Sequence, residues 1–190
     1  MAGYDDLVPK VAIHVSPCPE QAIKDALRHV LRDFCKQSRG WIFDVPAFLP
    51  SDDVLSYPLE VPENAVVVHI WGIEGRTGQY KPDTDYYITH PNQLNFNKPP
   101  SHKEVKALVS LMPGVNSQDF PDYLMEYFED YLIAGAVAYL QLQPFRAWSQ
   151  PNAAEYHQMK YQQGIKEAQR KRDKGLNLSQ ARRRVRAHYI

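Results

Sequence analysis

Apolar residues recur along this chain with two different periods, and the change from one to the other divides it into three parts. Ile23, Ala26, Leu27, Val30, Leu31 and Phe34 fall on one face of a 3.6-residue repeat, which predicts an amphipathic helix from Pro19 to Gly40. Pro19 suits the first helical position and Glu20 the positive end of the helix dipole. Lys36 and Arg39 suit the last turn, and Gly40 is placed as the C-terminal cap. This is the first predicted element.

From Trp41 to Pro113 the apolar runs shorten and prolines appear at 46, 50, 58, 62, 82, 91, 99 and 100. Trp41–Val45, Tyr57–Val61, Ala65–Ile73, Tyr86–Thr89 and Val105–Met112 read as strands from their β-branched and aromatic content. The nearly continuous run Val66–Trp71 predicts the central strand. Tyr80 to Phe96 alternates aromatics with Pro82-Asp83 and Pro91-Asn92, as in a small meander with exposed loops. Residues 99–103 read as a loop.

The helical period returns after Gly114. Phe120 to Leu142 is apolar on most sides through Ile133-Ala134-Gly135-Ala136-Val137-Ala138, so it predicts the most buried helix. Asp119, Asp122 and Glu126 lie at its start and Pro144 ends it. A second long helix, Pro151 to Lys174, carries a thin apolar stripe of Ala154, Tyr161, Ile165 and Ala168. It is expected to be covered on one face only and to project, and Gly175 ends it. Leu176 to Ile190 reads as an arm that orders on a partner.

Charge changes this picture. From Lys160 onward ten Lys/Arg face only Glu167 and Asp173, a net of +8, whereas the preceding residues carry 12 basic and 20 acidic side chains, a net of −8. Such a chain satisfies itself by placing the basic arm on a neighbour's acidic body, or it reaches nucleic acid or another acidic protein; otherwise the arm is a solvated charge run. A length of 190 residues fits one domain. Twelve Tyr and three Trp suit interfaces as well as cores. The acidic start is not a signal peptide and no apolar run reaches about 18 residues, so neither export nor a membrane span is expected. Cys18 and Cys35, about 25 Å apart along one predicted helix, are expected to be buried thiols rather than a disulfide.

Catalytic patterns are missing. Gly72 to Gly78 lacks the Lys-Ser/Thr and following helix of a phosphate loop. The seven histidines include no i,i+4 pair, and Asp83-Thr84-Asp85 opens like a calcium loop whose later ligand positions are wrong. Ser16, Ser110 and Cys35 have no nucleophile motif around them. No catalytic, metal or cofactor residue is assigned, and an enzyme is not expected. Tyr80, Tyr86, Tyr87 and Phe96 form an aromatic strand face that would stack bases, but Asp83 and Asp85 beside it repel phosphates, so core and interface tyrosines are the expected reading.

Three segments stand in a definite order: Ser38-Arg39-Gly40-Trp41-Ile42-Phe43-Asp44 closing the first helix, a strand-rich insert with Val61-Pro62-Glu63, and Phe120-Pro121 leading a helix that is followed by a polar one with a basic end. Over residues 20–175 this order resembles the head-to-tail adaptor proteins of tailed bacteriophages, the family that includes the tail tubular protein A of short-tailed phages. There a comparable Gln/Ser-Arg-Gly-Trp-x-Phe follows the first helix and a Phe/Tyr-Leu-x-Pro segment comes soon after, the place held here by Phe48-Leu49-Pro50. The Tyr80–Phe96 meander has only loose counterparts, and Arg182-Arg183-Arg184 is more basic than the pattern requires.

The resemblance implies an α+β fold: a bundle of three main helices (17–40 and 118–175) carrying an inserted β-rich module (41–113), with 1–175 as the adaptor domain and 176–190 as an extended basic docking arm. It implies a homo-dodecameric ring below the portal protein, at the virion neck and assembled in the host cytoplasm. The ring would contact a downstream nozzle or tail-tube protein and let genomic DNA pass without specific binding, with no cofactor and no membrane. Charge, exposure and position nominate Arg170, Lys171, Arg172, Lys174, Leu178, Arg182, Arg183, Arg184, Arg186 and Tyr189 for docking on the portal or a neighbouring copy. Tyr80, Asp83, Asp85, Asn92 and Asn95 are nominated as tail-facing loops. The alternative is a nucleic-acid-binding protein using the same arm, whose affinity would fall steeply with salt.

Overall fold

The computed structural model describes residues 2–51, 53–75, 78–100 and 104–174. Among the described residues it is a mixed α/β structure of four α-helices and three antiparallel sheets. Strand β1 (Ala2–Gly3) and a 3₁₀ turn over Tyr4–Asp6 lead into α1 (Val8–Val15), a helix the sequence reading left out. Pro9 sits in its first turn, where a missing N–H costs nothing, and Val8, Val11 and Val15 bury one stripe. Helix α2 (Glu20–Ser38) buries the predicted face from Ile23 to Phe34, with Cys35 also buried and Cys18 half-buried before it. It stops one residue earlier than predicted. Arg39, not Gly40, takes the left-handed conformation, with φ of 52°, and its N–H donates to the Cys35 carbonyl.

The larger sheet contains β2 (Ile42–Phe48), β4 (Ala65–Gly75), β5 (Gly78–Tyr80) and β8 (Val105–Pro113), in the order β2-β8-β4-β5. The run Val66–Trp71 lies on β4, an interior strand as predicted, but the most buried strand is its neighbour β8. On β8, Val105, Ala107, Val109 and Leu111 alternate inward toward α2, whereas two register shifts on β4 leave most of that strand half-exposed. At one edge the register between β2 and β8 shifts between Val45 and Phe48, around the exposed Pro46. The opposite edge is β5, only three residues long.

The meander forms a separate three-stranded sheet, β3 (Ser56–Pro58), β7 (Gln93–Phe96) and β6 (Tyr86–His90), in that order. Its aromatics join the two sheets: Tyr57 stacks on Phe48 at 4.9 Å, and Tyr80 meets Phe96 edge-on at 5.1 Å. Tyr86 and Phe96 are core residues, in line with the expected core-and-interface reading, and Tyr87 alone of that set is well exposed. The third sheet pairs β1 with β9 (Asp119–Phe120).

Helices α3 (Asp122–Gln141) and α4 (Pro151–Lys174) complete the helical layer. As predicted, α3 is buried nearly all round in its middle, Ala134 to Ala138. Helix α4 does not project as expected: it lies against α3 and α2 from Ala154 to Arg172. The stripe is thin because it is made for close approach. Each helix offers a glycine and a tyrosine one turn apart. The Tyr161 ring covers Gly135 and the Tyr131 ring covers Gly164, leaving no room for a Cβ at either glycine. Tyr161 donates its hydroxyl to the Asp33 carboxylate at 2.8 Å, and Tyr131 donates to Glu167 at 2.8 Å.

Candidate functional site

The basic end of α4 meets the end of α2 and the outer face of the larger sheet. Arg172 donates to the Ser38 carbonyl at 2.7 Å and to the Asp173 carboxylate at 2.7 Å, and its guanidinium stands 5.0 Å from the centre of the Trp71 ring. Arg39 lies 6.0 Å from the same ring. The Trp71 indole N–H donates to the Ser110 hydroxyl at 2.6 Å, which in turn donates to the Arg39 carbonyl at 2.9 Å. The residue that ends α2 is thus tied to the sheet and to α4 through one tryptophan. Lys171 faces Tyr127 at 4.4 Å and Phe128 at 5.1 Å and pairs with Glu167 at 3.4 Å. Between these groups a cleft of about 250 Å³ is lined by Gly40, Ile42, Tyr123, Tyr127, Lys171 and Arg172.

Of the nominated docking residues, Lys171 and Arg172 are therefore joined by contacts within the fold, while Arg170 and Lys174 are exposed. Leu178, Arg182, Arg183, Arg184, Arg186 and Tyr189 lie outside the described residues. The nominated tail-facing residues separate similarly. Asp83 is exposed at a left-handed turn position, with φ of 62°. The Asp85 carboxylate accepts from the Lys81 N–H at 2.7 Å, and Asn95 donates to Thr89 at 3.0 Å. Asn92 is occupied: its amide accepts from the Val67 N–H and donates to the Ala65 carbonyl, both at 2.8 Å, fastening the small sheet to β4. Tyr80 is half-buried on β5 against Phe96.

The sequence reading missed a second surface. Met125, Glu126, Tyr127, Glu129, Asp130 and Tyr131 of α3, with Lys160 and Glu167 of α4, line an open groove of about 490 Å³. The Tyr131 hydroxyl, together with the Lys171 and Arg170 cations, holds the Glu167 carboxyl below its ordinary value, so it stays ionised at neutral pH. Of the four carboxylates here, Glu129 pairs with Lys10 and Glu167 with Lys171, which leaves Glu126 and Asp130 beside Lys160. The i,i+3 and i,i+4 spacing of Glu126, Glu129 and Asp130 was the available signal.

His69 lies edge-on to Trp71 at 4.6 Å. Burial, then the nearby Arg39 and Arg172 cations, hold its imidazole below the usual histidine range. An unfolded histidine takes its proton near pH 6.5, so as pH falls through that value the unfolded state binds protons first and stability falls. His157 is shifted the same way by burial, His14 and Lys160. The melting temperature is expected to drop between about pH 7 and pH 5.5, and His69→Gln is expected to remove part of that drop. Thermal melts across this range check it, and an identical drop in the variant would show that His69 does not contribute.

Among the described residues no group of three or more His, Cys, Asp or Glu is placed to hold a metal, and no helix is long and apolar enough to cross a membrane. No protein family matches the chain, and no curated protein matches it.

Proposed function

We propose that the protein is a structural head-to-tail adaptor of a tailed bacteriophage, repeated as a ring beneath the portal, extending the DNA channel and joining it to the tail. In this reading the fold is a helical bundle carrying a β-rich insert, with residues 176–190 as a docking arm. The observation that carries it is the separation of charge within one folded body. The carboxylates of α3 around Glu126 and Asp130 and the basic end of α4, after which the sequence continues into the arm, would give each molecule both halves of a heterologous contact. Such a contact generates a ring where the rotation closes. The turn at Asp83 and Asp85, on the sheet remote in sequence from the arm, would face the next tail component.

Native mass spectrometry of the protein mixed with the portal ring encoded by the same genome tests this. The expected result is one heavy species with one adaptor per portal subunit. Components that stay separate at moderate salt would overturn the adaptor reading. Steeply salt-dependent DNA affinity under the same conditions would favour nucleic-acid binding by the arm instead.

A further inference from the structure

The turn between α3 and α4 carries a side chain that the fold does not use. Phe145 is fully exposed, and its backbone takes the left-handed conformation with φ of 58°. A phenyl ring held wholly in water, on a backbone that bulky residues avoid, is a choice that folding alone does not reward. Beside it Arg146 is exposed, stands 5.9 Å from its own Trp148 ring, and is the only charged residue between positions 142 and 152. The other end of the α3–α4 pair holds the cleft of about 250 Å³ walled by Ile42, Tyr123, Tyr127, Ala168 and Lys171. A cavity of about 150 Å³ already holds benzene, so this cleft admits a phenyl ring.

We infer that Phe145 of one molecule inserts into this cleft on a second copy of the chain, with Arg146 coming to rest beside Glu126. Length excludes the molecule's own ring, because α3 runs 20 residues from the cleft to the turn, about 30 Å. Charge favours a copy of this chain. The cations near the cleft are already engaged: Lys171 and Arg170 act on Glu167, and Arg172 on Ser38, Asp173 and Trp71. The carboxylates of the neighbouring rim are not. Glu126 and Asp130 are exposed and have no ion pair among the described residues, and Lys160 is the one cation lining their groove. An incoming Arg146 therefore meets two carboxylates against one ammonium, and Glu126 is next in sequence to Tyr127 of the cleft wall. An aromatic anchor filling a pocket, with a charge pair at its border, is the arrangement on which stable interfaces rest. The anchor and the cleft are different surfaces, so the contact is heterologous and repeats from copy to copy. It names the contact of the proposed ring and rests on that reading only for the closure of the ring.

The test uses the full chain with no portal present, so its failure and a failure of portal docking are separate results. Phe145 is replaced by p-azidophenylalanine, the protein is irradiated at rising concentration, and the products are mapped by mass spectrometry. The expected result is a crosslink between chains, from position 145 to residues 40–42, 123–128 or 168–172, with a yield that rises with concentration. Crosslinks from position 145 to residues 142–148 of a second chain would overturn the inference in favour of a two-fold contact. No crosslink between chains would overturn it outright. Sedimentation of the variants measures strength. Phe145→Ser removes no buried side chain and is expected to weaken self-association about 10- to 100-fold without lowering the melting temperature. Arg146→Glu is expected to weaken it about two- to fivefold, and adding Glu126→Arg to restore it. Unchanged association in Phe145→Ser, or a charge exchange that restores nothing, would also overturn it.

Discussion

Gly135→Ala is expected to destabilise the protein by about 1–3 kcal/mol, although alanine favours a helix over glycine by about 1 kcal/mol. The added methyl would stand 2.6 Å from the Tyr161 ring and 2.6 Å from Val30. Neither neighbour yields easily. Tyr161 is buried and held by its hydroxyl bond to Asp33, and Val30 is a β-branched residue 3% exposed within α2. Overpacking therefore outweighs propensity, and α4 has to lift away from α3. At this chain length each kcal/mol lowers the melting temperature by about 2–4 °C. Adding Val30→Ala removes one of the two clashes, so the double variant is expected to lose less than the sum of the single losses. Gly164→Ala, whose methyl would land on Tyr131, behaves in the same way. A melting temperature that rises in Gly135→Ala would show that the helices do not approach this closely.

A chain ending at Lys174 is expected to keep its fold and lose its docking on the portal ring. Among the described residues the buried core runs from Ala2 to Ala168, and the last side chain tying α4 down is Arg172, so the described core is kept. What is removed is four arginines and apolar residues around them, among them Leu176, Leu178, Val185 and Ile190. Replacing Arg182, Arg183, Arg184 and Arg186 together by glutamine is the milder form. Exposed pairs contribute roughly 0.2–1 kcal/mol each, so docking weakens by about 1–4 kcal/mol and its dependence on ionic strength shrinks. Sedimentation with portal rings across a salt series measures both. Truncated protein that binds as well as the full chain would remove the arm from the mechanism.

The three long helices were legible because each carries its own periodic stripe and end signals. The short α1 was hidden: Val8, Val11 and Val15 make too brief a stripe to stand out ahead of Pro17 and Pro19. The Val66–Trp71 run marked an interior strand but not the most buried one, because β-branched content reports strand formation, while burial depends on where register shifts turn the side chains. Charge pointed to Lys171 and Arg172 but not to their partners. Trp71 lies 101 positions before Arg172, and no local pattern joins two residues that only the packing of α4 brings together. Asn92 shows the same limit. Its place after Pro91 marked a turn, while its bonds to Ala65 and Val67 belong to another sheet.

The borders of the larger sheet carry a consequence for how copies of this chain meet. A row of free N–H and C=O groups is a template on which another molecule adds a strand, and a protein repeated many times at close quarters risks growing into fibres that way. Here one border is interrupted by Pro46, which has no N–H to offer, and by an irregular ladder around it. On the other, β5 pairs only Ile73–Gly75, and along the rest of β4 Asn92 already holds the Val67 N–H and the Ala65 carbonyl. Crowded molecules are thereby steered away from sheet-upon-sheet polymerisation and toward side-chain surfaces, where charge decides who fits whom.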